Sequence, residues 1–359
     1  MSEINVRNNL SAPHAGKDSP LYRMIASKAG TGVLCTASTV STSGGRNGTV
    51  ERDNTNGTMV RGNTSLADGA VQRDNLMHAD SALPSCSPFD YSTLWSTQWW
   101  GLDASAVFAK FSSEQQAKVL SECNQSLLRE AYFIEKSGLA YSAKMILMAK
   151  DTDEAQLFAF IGADEAKHLA WIEPYVQAAH KQMPRGHFLA FLSSLIEEYP
   201  PRLLVYLVQV ILEGWGLDHY NRLAKSCSHP DLAAIFASIL KDEALHHRSG
   251  VVLFDACQLS SRDLSMIEDA LQQYTMMVRV GPQSALAIVN EVACGLTETE
   301  LQEVLIALRH EEETLRKLKL LRTLMKQPQV DQLVEILDAE RCFLPASLPE
   351  AVDCYLSSR

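Results

Sequence analysis

With 359 residues, 46% of them apolar, the chain is long enough for one large or two small domains around a sizeable core. Its net charge of −11 argues against nucleic acid or an anionic membrane surface as a partner. The most apolar run, Leu203 to Leu212, is interrupted by Gln209 and is too short to cross a bilayer, so it reads as a buried helix.

Residues 1–85 do not share the apolar character of the rest. From Ala37 to Asp80 the chain is Ser, Thr, Asn and Gly with scattered charges and no helical period. Such a segment buries too little apolar area to offset its ordering entropy, so a disordered or weakly ordered N-terminal arm is expected over 1–85. Met1-Ser2-Glu3-Ile4-Asn5 carries no apolar stretch of the kind that opens a secretory signal. The eight cysteines, at 35, 86, 123, 227, 256, 294, 342 and 354, form no C-x-x-C pair. That excludes a zinc knuckle and a rubredoxin-type iron site, and it suits free thiols in the cytoplasm.

From 86 to 359 the period is 3.6 throughout and an all-α domain is predicted. Tyr91, Trp95, Trp99 and Trp100 form an aromatic lead-in expected to pack across a bundle end. Ser112 and Gln115 make a capping box ahead of a long helix to about 150. Asp151 to Asp153 is a turn and N-cap for a second helix, which Pro174 should kink or shorten and Pro184-Arg185-Gly186 should end. A short helix follows from His187 to Glu198. A third bundle helix runs from Pro201 to about 225, and a fourth from Asp231 to about 256, after a turn at 226–230. Accessory helices are predicted at 262–280, 283–294, 297–326 and 329–341, within a region 260–345.

Two stretches within this bundle repeat each other. Glu135-Lys-Ser-Gly138-Leu139 precedes Asp164-Glu165-Ala166-Lys167-His168, and Glu213-Gly-Trp-Gly216-Leu217 precedes Asp242-Glu243-Ala244-Leu245-His246. The interval from Glu135 to Glu165 equals that from Glu213 to Glu243. Glu165 and His168, like Glu243 and His246, are three residues apart, so each pair projects from one helix face. A carboxylate oxygen and an imidazole nitrogen from one helix can then reach one metal. With Glu135 and Glu213 the set is four carboxylates and two imidazoles, the ligand complement of a dinuclear iron or manganese centre in a four-helix bundle. Glu213 lies in an almost wholly apolar helix, where an unpaired carboxylate would be very costly. Glu130 lies five residues before Glu135 in the same helix, but Glu135 alone carries the Gly-Leu echo and fits the near-symmetry of the two hairpins. Gly138 and Gly216, one turn past the first glutamates, suggest either a close helix crossing or room beside the metals.

Over roughly 112–257 this pattern resembles the ferritin-like di-metal carboxylate superfamily, and specifically its oxygen-activating branch of oxygenases and desaturases. The resemblance implies a ferritin-like four-helix bundle with additional N- and C-terminal helices. It implies metal ligation by Glu135, Glu165, His168, Glu213, Glu243 and His246, by two Fe ions or by an Mn/Fe pair. In the resembling enzymes the Asp of D-E-x-x-H accepts the ligand imidazole's other N–H, a role that falls here to Asp164 and Asp242. The doubled D-E-x-x-H is not a feature of iron-storage ferritins. The implied activity is hydroxylation, N-oxygenation or desaturation of a small or carrier-tethered organic molecule, with O2 as co-substrate. No Fe–S, flavin or nicotinamide motif occurs, so a separate ferredoxin- or flavoprotein-type electron donor is expected; a homodimer is compatible with the pattern. Rubrerythrin-like peroxide reduction or iron handling remains an alternative, against which the absent rubredoxin cysteines count. So does a ribonucleotide-reductase-type radical subunit, whose tyrosine four residues after the first ligand His would fall at Ile172. Arylamine N-oxygenases carry an additional His where this chain has Ile239.

Overall fold

The computed structural model describes Met24 and residues 89–181, 186–255 and 258–358. The chain divides into two units, Met1–Thr31 with Asp90–Arg359, and Gly32–Phe89. The arm expected over 1–85 lies outside the described residues except for Met24, which is helical and buried. Pro184 and Arg185, expected to end a segment, also lie outside them.

Among the described residues the secondary structure is entirely helical. Four long helices form the bundle. Helix α1, Ser113–Met148, opens with the predicted capping box, Ser112 accepting from the Gln115 backbone and Gln115 from that of Ser112. Helix α2, Thr152–Ile172, is capped by Asp151 and packs antiparallel on α1. Pro174 ends it in a single tight turn, Glu173–Tyr175. After the short α3, His187–Glu198, helix α4 is a continuous helical rod of three segments, Pro201–Leu204, Val205–Leu212 and Glu213–Ser226. It pairs with α5, Pro230–Asp255, and the two hairpins meet through α2 and α5.

The middle segment of α4 is a π-helix, which the apolar period did not predict. Each inserted residue turns the following face by about 100°, so the π segment sets where Glu213 points. Buried side chains hold it in place. Tyr274 donates to the Leu207 carbonyl at 2.9 Å, and His247 Nδ1 lies 2.9 Å from the Val210 carbonyl. Gln209, the polar interruption in the run, is fully buried. It accepts from the Tyr141 hydroxyl and donates to the His246 carbonyl and Ser249 Oγ, pinning α4 to α1 and α5.

The aromatic lead-in does pack across one bundle end. Trp95 is buried against Phe236 and donates to the Leu223 carbonyl, while Trp100 donates to Asn124 Oδ1. Five shorter stretches follow the bundle: α6 Ser261–Arg279, α7 Gln283–Val292, α8 Glu298–Ala307, α9 His310–Met325 and α10 Asp331–Ala339. The single helix expected over 297–326 is two helices. Arg309 adopts a left-handed φ of 54° between them and donates to the Trp99 carbonyl, so the lead-in's contact overrides the helical period. A last helix, α11 Leu348–Ser357, lies beyond the expected accessory region. Its signal was present as Ser347-Leu-Pro-Glu350, a capping box with proline in the first turn.

Candidate metal centre

The six predicted residues converge between the two hairpins. Ligand atoms of Glu135, Glu165, His168 and Glu243 lie within 4.8 Å of one another, and so do those of Glu165, Glu213, Glu243 and His246. Glu165 and Glu243 belong to both groups, whereas each of the other four belongs to one. The cluster is therefore two adjoining sites that share two carboxylates. Glu130 is in neither group.

Both imidazoles present Nδ1 to the carboxylates. His168 Nδ1 lies 3.1 Å from Glu135, 3.7 Å from Glu243 and 3.8 Å from Glu165. His246 Nδ1 lies 3.2 Å from Glu165, 3.5 Å from Glu243 and 3.8 Å from Glu213. Their Nε2 atoms face the two aspartates, crosswise. His168 Nε2 meets Asp242 at 3.1 Å, and His246 Nε2 meets Asp164 at 3.2 Å. Each repeat copy thus orients the imidazole of the other copy, and the Nε2–Asp contact turns Nδ1 toward the centre.

Lys167 ties this outer layer together, donating to Asp164 at 3.1 Å and Asp242 at 2.8 Å while its ammonium lies 5.2 Å from the Trp171 ring centre. Sequence reasoning missed it. The signal was the one mismatch between the two D-E-A-x-H segments, Lys167 against Leu245. The Tyr220 hydroxyl donates to Glu135. The Tyr141 hydroxyl donates to Gln209 instead.

The two glycines serve different ends. A Cβ on Gly138 would sit 2.8 Å from the Glu165 carboxylate, so glycine there makes room for that side chain. At Gly216 the nearest atoms are 3.9 Å away on Tyr220. The Glu213 side chain keeps 12% exposure and lines a cavity of about 340 Å³.

The electrostatics are those of a centre with excess negative charge. Burial pushes Glu135 up to about 8 against the pull of His168, and raises Glu243 well above the usual range with Glu213 adding to it. Glu165 goes the other way, because the neighbouring His168 and His246 imidazoles outweigh its burial. Burial alone would lower His168, but Asp242, Glu135 and Glu165 hold it up at about 11; His246 is raised well above its ordinary value against burial, by Glu243 first.

The donor set suits hard or borderline divalent metals. Glu165 Oε1, Glu243 Oε2 and His246 Nδ1 are buried with no hydrogen-bond partner, although they point at one another. Unpaired buried polar atoms are costly, and a cation at their point of convergence satisfies all three at once.

Residues 128–249 match the family model of the ferritin-like domain. Comparison of the chain with curated proteins and with solved structures gave no match. Among the described residues no helix is long and apolar enough to cross a membrane. The segment 128–249, with the whole carboxylate–histidine cluster inside it, is a ferritin-like domain.

Proposed function

We propose that the protein is a non-haem diiron oxygenase or oxidase acting on a small or carrier-tethered organic substrate by hydroxylation, N-oxygenation or desaturation. Glu135 and His168 would hold one iron and Glu213 and His246 the other, with Glu165 and Glu243 within reach of both. When bound, the iron pair supplies two-electron chemistry with dioxygen. The observation that carries the reading is the cavity. Four of the six cluster residues, Glu135, Glu165, Glu213 and Glu243, line it, together with Leu192, Val208, Leu212 and Trp215. A protein that only stores or moves iron has no need of an apolar chamber of this size against its metal ligands.

The chain's own residues divide the work. The apolar wall excludes water from the reacting face and favours an organic body over an ion. Tyr220 keeps a hydroxyl proton on Glu135 Oε1. Asp164, Asp242 and Lys167 fix the imidazole tautomers. Electrons would come from a separate ferredoxin- or flavoprotein-type donor. A cytoplasmic location is supported by the free thiols of Cys123, Cys227, Cys294, Cys342 and Cys354.

The test is anaerobic loading with Fe(II), metal analysis, and dioxygen uptake in the presence of a chemical reductant. About two irons per chain with dioxygen consumed only by the loaded protein is the expected result. Iron that stays well below that ratio, or loaded protein inert to dioxygen, overturns it.

A further inference from the structure

A column of aromatic rings runs from the carboxylate–histidine cluster toward the protein surface. The Tyr220 hydroxyl donates to Glu135, a member of the cluster. Its ring, on α4, stacks on Phe236 of α5, with centres 5.8 Å apart and planes 22° from parallel. Phe236 meets Trp95 at 6.1 Å, and Trp95 meets Trp99 at 6.1 Å. These are the spacings of aromatic rings in direct contact. Trp95 has a second link to α4, because its indole N–H donates at 3.3 Å to the Leu223 carbonyl, one turn past Tyr220. Tyr220, Phe236 and Trp95 are buried, whereas Trp99 is half-buried.

The outer end of the column is chemically distinct. Trp99 opens onto a pocket of about 440 Å³ lined with Ser96, Gln98, Arg222, Ser226 and Arg309. Two of these are arginines and none is a carboxylate. Arg222 is paired with Glu313 at 2.8 Å, whereas Arg309 gives one N–H to the Trp99 carbonyl at 2.8 Å. On a chain of net charge −11, the column therefore surfaces at a spot that favours a small anion. Indole and phenol rings give up single electrons far more readily than other apolar side chains, and phenol does so best when its proton has an acceptor. Trp171 also touches the cluster, 5.9 Å from the His168 ring, but the Lys167 ammonium 5.2 Å from its centre opposes loss of an electron there. Trp95 and Tyr220 have no cation over their rings among the described residues.

We infer that this column passes single electrons from a small anionic one-electron reductant in the Arg309 pocket to the cluster, discharging oxidising equivalents that no organic substrate has consumed. The source of that oxidising power rests on the oxygenase reading. Tyr220 gives one electron toward the metals and its phenolic proton to Glu135. Trp95 then gives one electron to Tyr220 across Phe236, and Tyr220 takes its proton back. Trp95 keeps its indole proton, which faces a carbonyl rather than a base. Trp99 refills Trp95, and the anionic reductant refills Trp99. Each passage oxidises one reductant by one electron, adds one electron to the metals and leaves the protein's protons where they began.

The experiment has two arms. In the first, azidyl radicals made by pulse radiolysis oxidise tryptophan in the full metal-free chain, and transient absorption follows the tryptophan radical as it decays into a tyrosine radical. Tyr220→Phe and Trp95→Phe, each of which keeps a ring in place, should remove the same kinetic phase with helical content unchanged, and Trp171→Phe should leave it. If the two variants share no lost phase, or if Trp171→Phe removes it instead, the assignment is wrong. In the second arm, iron-loaded protein receives dioxygen in the presence of ferrocyanide, and the ferricyanide formed is measured. Tyr220→Phe and Trp95→Phe should slow its formation, and Arg309→Gln should raise the ferrocyanide concentration required. Ferricyanide formation indifferent to all three substitutions overturns the route. Iron loading and dioxygen uptake without the radical transfer would refute this inference alone. The transfer in a protein that cannot hold iron would refute the oxygenase reading and leave the column standing.

Discussion

The two halves of the centre come from matching motifs, but they are not equivalent in space. In the first half, Glu135 is 1% exposed, hydrogen-bonded by Tyr220 and His168, and supported by a glycine that a single Cβ would turn into a collision with Glu165. In the second half, Glu213 follows a π segment, opens onto the cavity, and has an uncrowded glycine behind it. Both glutamates line the cavity, but Glu135 is almost wholly covered whereas the Glu213 side chain keeps 12% exposure. A sequence repeat can thus set matching residues in two unlike surroundings if the helices that carry it differ in winding. π segments are frequent at functional sites.

The comparison can be broken most severely at the shared carboxylates. Glu165→Ala should abolish binding of both metals, because its oxygens belong to both ligand groups. Glu135→Ala should leave about one metal per chain, and Glu130→Ala both. Metal analysis of the purified variants decides this, and equal loss from Glu135→Ala and Glu130→Ala would discard the repeat register. All should stay helical by circular dichroism, since the apolar faces of a domain this large supply most of its stability.

Next in size is the pair of glycines. Gly138→Ala should weaken metal binding by about tenfold or more, because the new Cβ must displace the Glu165 carboxylate. Gly216→Ala should leave metal binding alone and raise stability by up to about 1 kcal/mol through helix propensity. Similar metal affinities in the two variants would mean that the asymmetry has no consequence for the centre.

The third expectation concerns protons. Metal-free, His168 is held at about 11, His246 well above its ordinary value, and Glu135 at about 8. At neutral pH these groups carry protons that metal must displace, so binding should release protons and tighten as pH rises. Titrations in buffers of different ionisation enthalpy read that release directly. The metal-free fold should show the opposite trend. Stability drawn from the protonated imidazoles is fully present below the unfolded value of about 6.5 and lost as pH rises through the folded one; Glu135 contributes in the same sense from about 4.3 upward. A melting temperature of the metal-free protein that climbs between pH 6 and 9 would contradict this.

Smallest should be Lys167→Leu, which gives the first copy the residue of the second. It removes the cation between Asp164 and Asp242 but leaves both imidazole contacts possible. A loss of about tenfold in metal affinity, with stoichiometry unchanged, is the expected result. No loss would make Lys167 a solvated neighbour of the site.

The amino-acid sequence by itself determined the helices and the chemistry of the cluster. Helical period, the Ser112 capping box and the proline stops are local signals, and α1 to α5 follow them closely. Glutamate and histidine three residues apart share a face of any helix, so two such pairs in register announce a metal centre before its neighbours are known. Whatever depends on contacts between elements was decided by the tertiary structure. The break at Arg309 needs the Trp99 carbonyl, and the π winding of α4 needs Tyr274 and His247 from other helices and the partners of Gln209 on α1 and α5. The crosswise pairing of Asp164 with His246 and Asp242 with His168 needs both hairpins in place. The cavity between α1, α4 and α9 has no local signature. Backbone winding and side-chain spacing are short-range properties and can be read along the chain, whereas an enclosed space exists only between surfaces that folding brings together.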